Sequence, residues 1–549
     1  MKLFLPPLIS ALSSPGGRWL GGGLAARLLV ALLLPVGFDE AYYYLYSRHL
    51  AWSYFDHPLM VALTTGLGWW PTGIIAPVTL RLGALLLYTL SLGLLYLTAR
   101  HLFDEKTGIL TIAIATIAPI FWLAFGVLTS PDNGLILFWT LTLWLAAQEF
   151  VPPATHRRAL HASTSYEPSY RLALIGLTVG LACLSKYHGF ILGAGLVGFC
   201  LTSDRTRKAL WSPWLALGFL LFGLALAPLW GWNSQNEWFS FRFHLFLRFD
   251  SGADAPNPYR VGDAVVTWLL GILYLCPTIG LPLWWCAGRS LWRTVGDRLV
   301  PALSEGERIA GDRTALILWI SLPIALGFTL LGGKQAIYPA WPVPGFWGLT
   351  LLLAHRATDW RSRLVRRWLG GTALFLTPLV LVALLHLTLG LLQKPSVFAP
   401  WGGLVPVAQD GSTALLPVGQ LRSRFAQQPD LMAALATADF VFTDEFYLSG
   451  YVDMALYPLG GKPITCFSQD PRGFAFWATP QTWVGQTALY VTLASLHRDR
   501  AALIAEFQSY FASLEPLGEL PLTRGGAVTD TVLVYRTTAM QRPYPYPYP

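Results

Sequence analysis

About eleven apolar segments divide the first 392 residues of this chain, and they constrain its fold more than any other feature. The first runs from Trp19 to Phe38 and the last from Leu369 to Leu392. An apolar run of ~20 residues covers the hydrocarbon core of a bilayer. Composition agrees: 54% of the 549 residues are hydrophobic and 12% are charged. Soluble domains carry roughly 25% charged residues. The reading is an α-helical polytopic membrane protein with about eleven transmembrane helices. Spans are drawn at Leu172–Leu184, Gly189–Leu201, Pro213–Trp232 and Val265–Ala287, among others. The stretch His57–Trp70 is apolar but short and amphipathic, which suits a segment lying in the interface. No small-residue cleavage site follows the first run, so a retained first helix is expected.

Charge sets the topology. The net charge of +8 does not point to nucleic acid, because the basic excess lies in the membrane part. From Lys394 onward there are 10 Lys and Arg against 12 Asp and Glu. Alternate loops hold 18 basic residues on one side and six on the other. The positive-inside rule puts the richer set in the cytoplasm. Asp39-Glu40 and the long C-terminal region then face outward, toward the periplasm if the membrane is the inner (cytoplasmic) one. Aromatic belts at headgroup level account for most of the 24 Trp.

Three regions are expected: a membrane domain over residues 1–392, an extracytoplasmic α/β domain over 393–541, and a Pro/Tyr tail over 542–549. The second region alternates strand-like runs with helical ones. Strands are expected at Phe440–Thr443, Pro463–Phe467, Ala488–Thr492 and Thr531–Tyr535. Helices are expected at Gly419–Ala438 and Ala501–Leu514. The tail is read as extended, without core-forming capacity. Cys466 is the one cysteine of the soluble region, so that region holds no internal disulfide.

The unusual polar residues gather in the outward loops. Asp39-Glu40 opens the first, which also holds Arg48, His49, Asp56 and His57. Two adjacent carboxylates at a membrane boundary are costly unless they face water, a cation or a reaction. Asp132 lies in the turn Thr129-Ser-Pro-Asp-Asn133, and Lys186 lies in Ser185-Lys-Tyr-His188. Arg242, His244 and Arg248 belong to the long loop after Trp232. Lys334 follows Gly332-Gly333, and Arg81 lies inside the second span. Carboxylates can act as general bases on a hydroxyl, and cations can stabilise a leaving phosphate. Grooves between helices can hold a lipid tail. This combination describes glycosyl transfer from a lipid-phosphate sugar. A P-loop or Rossmann fingerprint is absent, and no C-x-x-C or H-x-x-x-H spacing suggests a structural metal. A flippase or transporter of a lipid-linked sugar uses similar parts, and so does a non-catalytic scaffold that binds polyprenyl phosphate.

The sequences Asp39-Glu-Ala-Tyr-Tyr-Tyr44 and Phe55-Asp-His-Pro58 resemble the first-loop motif of GT-C glycosyltransferases of family 39. These are the dolichyl-phosphate-mannose protein mannosyltransferase-like enzymes, with relatives that transfer aminoarabinose or galacturonate to lipid A. Thr129-Ser-Pro-Asp132, Leu184-Ser-Lys-Tyr187, Trp232–Phe243 and Tyr338-Pro-Ala-Trp-Pro342 are also similar to that family. So is Phe474-Ala-Phe-Trp477 in the C-terminal region. The resemblance implies a GT-C fold, a polyprenyl-phosphate sugar donor, an inverting transfer, and a lipid, glycan or protein acceptor. It implies Asp39 as the base with Glu40 beside it, and Arg81 as a donor-phosphate contact. Lys186, Lys334, Arg242 and Arg248 are further candidates for the phosphate. Asp56, His57, Asp132, Tyr43 and His244 are candidates for the acceptor side or for supporting roles. The chain departs from the aminoarabinose transferases at His57, where they carry an acid–lysine pair. Divalent-metal dependence varies across the superfamily, so a divalent cation stays open as a cofactor.

Overall fold

The computed structural model describes residues 14–153, 166–245, 258–298, 305–497 and 500–548. Two compact units divide the chain. One holds Met1–Leu29, His57–Thr64 and Leu82–Thr377, and the other holds Val30–Asp56, Thr65–Arg81 and Pro378–Pro549.

The first unit is a packed set of helices. Among the described residues, the helices Pro77–Leu102, Glu307–Leu331 and Ser362–Leu389 are long and apolar enough to cross a membrane unaided. Three bent pairs pass the same test. Two of these pairs correct spans read as continuous. Val265–Ala287 is broken between Val261–Tyr274 and Pro277–Arg298, which meet at 118°. Cys276 adopts φ 70° there and Pro277 follows it, so the helix cannot continue through. Pro213–Trp232 is bent by 46° between Pro213–Ala225 and Ala227–Gln235, with Pro228 in the first turn of the second piece. The runs at Leu172 and Gly189 form shorter helices, Arg171–Ser185 and Gly189–Thr202.

Small residues let these helices approach closely, as is common where lipid supplies no hydrophobic drive. A Cβ on Gly176 would lie 2.1 Å from the Gly218 carbonyl, and one on Gly195 would lie 2.4 Å from that of Trp319. Some buried polar groups pair across the bundle, as where Trp347 Nε1 donates to Thr140 Oγ1 at 2.9 Å.

The second unit is built on a five-stranded sheet. Its strands are β1 (Phe440–Thr443), β2 (Ile464–Cys466), β3 (Ala488–Leu493), β4 (Phe511–Arg524) and β5 (Ala527–Met540). They lie in the order β2-β1-β3-β5-β4. The β2-β1-β3 part is parallel, whereas β5 and β4 run antiparallel. The expected α/β region is therefore present, with corrections inside it. Gly419–Ala438 is two helices, Val418–Ala426 and Pro429–Thr437, because Pro429 disfavours helical geometry at Gln428. The helix expected to reach Leu514 ends at Gln508, and Phe511 starts β4. Pro516, Gly518 and Pro521 hid that strand. They are tolerated because β4 is an edge strand with register shifts at Pro516/Gly518 and Leu522/Thr523.

The tail also corrects its reading. Tyr544 is 3% exposed and packs with Phe467, Phe507 and Tyr510. Tyr546 meets Thr465 Oγ1 at 3.1 Å, and the Tyr548 ring stacks 5.3 Å from Phe55. Prolines hold the segment extended, so alternate tyrosines share one face and reach the core together.

Candidate functional site

Within the sheet-bearing unit, Asp39 and Glu40 occupy the first turn of a helix over Phe38–Arg48. Their environments diverge. Asp39 is exposed, whereas Glu40 is 2% exposed. Glu40 Oε1 accepts from Arg81 Nε at 2.8 Å, and Oε2 accepts from Arg81 Nη2 at 2.5 Å. The Glu40 carboxylate also accepts from the Gly37 amide at 2.9 Å, which caps the helix. Arg81 gives its remaining hydrogen bonds to the carbonyls of Ala31, Leu34 and Pro35 at 2.7–3.0 Å. All five N–H donors of a guanidinium are then engaged. Arg81, the residue expected to contact phosphate, has its donors taken by these partners and no exposed surface. Glu40 is thus the buried partner of Arg81 and ties it to the first turn of the helix.

The rest of the first loop is tied to the sheet side of the same unit. The crossing of Phe38–Arg48 with the helix Phe446–Gly460 is very close. A Cβ on Gly450 would lie 2.2 Å from the Ala41 carbonyl. Tyr451 Oη donates to the Val36 carbonyl at 2.8 Å. Arg48 pairs with the buried Asp453 at 3.6 Å and lies 3.4 Å over the Tyr457 ring. Burial pushes the Asp453 carboxyl up to about 6, against the opposing pull of Arg48. Asp56 is 4% exposed and accepts from Tyr46 Oη and, at 3.1 Å, from Arg472 Nη1. Tyr43 is buried in the same aromatic cluster, its ring 5.7 Å from that of Tyr46. Sequence reasoning missed Arg472, Arg48's partner Asp453, and Tyr548. The signal for Arg472 was its place in the Asp-Pro-Arg-Gly turn directly before Phe474-Ala-Phe-Trp477.

The helical unit holds the other candidates. Lys186 Nζ donates to both Asp132 oxygens, at 2.8 and 2.9 Å, and both side chains are nearly buried. Asp132 does not cap its helix, Pro131–Phe150. That end is closed by Ser130 and Asn133, with the Ser130 amide donating to Asn133 Oδ1 at 2.7 Å. Beside Lys186, Tyr187 Oη meets Ser240 Oγ at 2.6 Å, and its ring lies 4.6 Å from His244. His244 is in turn 6.2 Å from the ring of His57. Arg242 and Lys334 are exposed. The Gly333 carbonyl before Lys334 accepts from the Arg260 amide at 2.7 Å. Arg248 lies outside the described residues. Among the described residues no group of three His, Cys, Asp or Glu is placed to hold a metal ion.

The fold is that of the membrane-embedded GT-C glycosyltransferases. ArnT from Cupriavidus metallidurans, in the apo state, superposes with TM-score 0.60 at 18% identity, over 95% of this chain and 98% of that one. The same protein bound to undecaprenyl phosphate gives 0.59 at 17% identity, over 94% and 97%. Residues 56–232 match the family model of dolichyl-phosphate-mannose-protein mannosyltransferase. No curated protein matches the sequence. The likeness to ArnT is one of fold, and the family-model match covers residues 56–232 of the 549.

Proposed function

We propose that this chain transfers one sugar from a polyprenyl-phosphate donor to an acceptor hydroxyl on the outer face of the membrane, with inversion. The observation that carries the reading is the divergence within the acidic pair. Glu40 is buried on Arg81, while Asp39, its neighbour, stays exposed in the first helical turn. A carboxylate held by its backbone but open to substrate suits a general base. Asp39 takes the proton of the acceptor hydroxyl as its oxygen attacks the anomeric carbon. The bond from that carbon to the phosphate oxygen breaks, and the electron pair leaves with the phosphate. Lys186, Lys334 and Arg242 are the proposed cations for that charge. The likeness to a structure bound to undecaprenyl phosphate supports the donor class.

The test is transfer from a panel of radiolabelled polyprenyl-phosphate sugars to a membrane acceptor fraction, in nanodiscs, with wild type beside Asp39→Asn. Label transfer that needs Asp39 supports the reading, and the active donor names the sugar. Saturable binding of polyprenyl phosphate without transfer by wild type overturns it in favour of a scaffold or flippase.

A further inference from the structure

The helical unit contains a buried cation to which the described residues supply no counter-charge. Arg27 lies in the helix Pro15–Leu33 and is 1% exposed. Its Nη2 donates to Thr89 Oγ1 at 3.1 Å, and its guanidinium sits 4.8 Å over the Tyr88 ring. Its Nε and Nη1 have no hydrogen-bond partner, and among the described residues it forms no ion pair. Thr116 Oγ1, nearby, is likewise buried and without a partner. An unpaired guanidinium inside a span is costly, and such residues generally find a partner or face a polar cavity.

A cavity adjoins these groups. It has a volume of about 530 Å³ and is lined by Arg18, Trp19, Gly22, Gly23, Ala26 and Thr116. That size falls in the range of small-ligand sites. Gly23 forms the wall toward Arg27. A Cβ there would lie 3.2 Å from Arg27 Nη1, 3.5 Å from Thr116 Oγ1 and 2.9 Å from Thr116 Cγ2. The missing side chain therefore leaves both orphan groups next to the cavity. Guanidinium donors and a hydroxyl match phosphate oxygens. The lining also carries Arg18 and Trp19, residue types that sit at headgroup level, and Gly22 and Ala26 are exposed along an open, apolar stretch of the helix.

We propose that this cavity binds the phosphate of a lipid, with Arg27 and Thr116 meeting the phosphate oxygens and the groove along Gly22–Ala26 taking the start of the chain. None of its residues is among those assigned to sugar transfer. Two sources share this chemistry, a bilayer glycerophospholipid and a polyprenyl phosphate.

Three photoreactive probes test it on the full chain in nanodiscs: a phosphatidylglycerol, a polyprenyl monophosphate and an uncharged diacylglycerol. Adducts are mapped by mass spectrometry, which needs no turnover. Phosphate probes are expected to label residues 15–26 or Thr116, and whichever probe labels better identifies the source. Gly23→Leu fills the cavity and Thr116→Val removes the hydroxyl while keeping its shape. Gly23→Leu and Arg27→Met are expected to lower labelling about tenfold, the factor for one lost hydrogen bond to a charged group. Thr116→Val is expected to lower it several-fold, and it decides the matter if the other two variants do not fold. Equal labelling by diacylglycerol, labelling unchanged in the variants, or no labelling of this segment overturns the proposal.

Discussion

Arg81 and Glu40 form a two-point pair, Nε to Oε1 at 2.8 Å and Nη2 to Oε2 at 2.5 Å, with neither side chain more than 3% exposed. Removing one partner leaves the other charge buried alone. Arg81→Met is therefore expected to destabilise the protein by about 3–5 kcal/mol. The double variant Arg81→Met/Glu40→Gln is expected to cost clearly less than the sum of the two single changes. Thermal unfolding in detergent measures all three. Strict additivity would show that the pair is not coupled.

The exposed Asp39 lets its proposed chemistry be tested apart from stability. Its side chain is exposed, so Asp39→Asn is expected to leave the melting temperature unchanged. Turnover is expected to fall by ~10²–10⁴-fold, the range for loss of a general base. Glu40→Gln should show the reverse pattern, with a lowered melting temperature and a smaller loss of rate. Near-normal turnover by Asp39→Asn would remove the role assigned to Asp39.

Much of this was legible in the sequence, for physical reasons that stop at identifiable residues. Apolar length reported the membrane helices, but not the breaks at Leu226 and Cys276, which depend on single backbone angles. Asp39-Glu40 stood out as an acidic pair. Nothing in the chemistry of two adjacent carboxylates says which one turns inward; the partner that decides it, Arg81, lies 41 residues away. The same holds for Asp56, whose cation is 416 residues distant in Arg472. The tail was misread because composition is blind to register. Its prolines forbid a helix but place Tyr544, Tyr546 and Tyr548 on one face.

Lys186 and Asp132 allow a second coupling test. Lys186 holds both Asp132 oxygens, so either truncation alone strands a nearly buried charge. Asp132→Asn and Lys186→Met are expected to destabilise by similar amounts, about 3 kcal/mol each. If Lys186 also meets donor phosphate, Lys186→Met should raise KM for the lipid donor at least about tenfold more than Asp132→Asn, the factor of one charged hydrogen bond. Equal KM values in the two folded variants would leave the pair a structural one.

The tail links to the first loop through Tyr548. Its hydroxyl accepts from the Arg472 amide at 2.8 Å and donates to Asp470 at 3.1 Å, while its ring stacks on Phe55. Arg472 in turn holds Asp56. Tyr544→Ala, which empties a core position, is expected to cost about 3–5 kcal/mol. Tyr548→Ala is expected to cost less but to lower turnover, with Tyr548→Phe recovering the ring contact and only part of the rate. A rate for Tyr548→Ala equal to wild type would show that the tail serves folding alone.

Asp453 gives the stability of this unit a definite pH dependence. Burial raises its carboxyl to about 6, above the ordinary 3.8, even with Arg48 at 3.6 Å. At pH values between these figures the unfolded chain has released the proton and the folded one still holds it. The folded state binds more protons, so stability falls as pH rises. The contribution is complete below about pH 4 and is lost as pH passes through about 6, on the order of 3 kcal/mol across the window. Asp453→Asn cannot titrate and should flatten that part of the profile, with the difference from wild type greatest above pH 6. Melting temperatures at half-unit steps from pH 4 to 7 measure it. Parallel profiles for the two proteins would mean that Asp453 keeps an ordinary carboxyl, and that Arg48 fully offsets its burial.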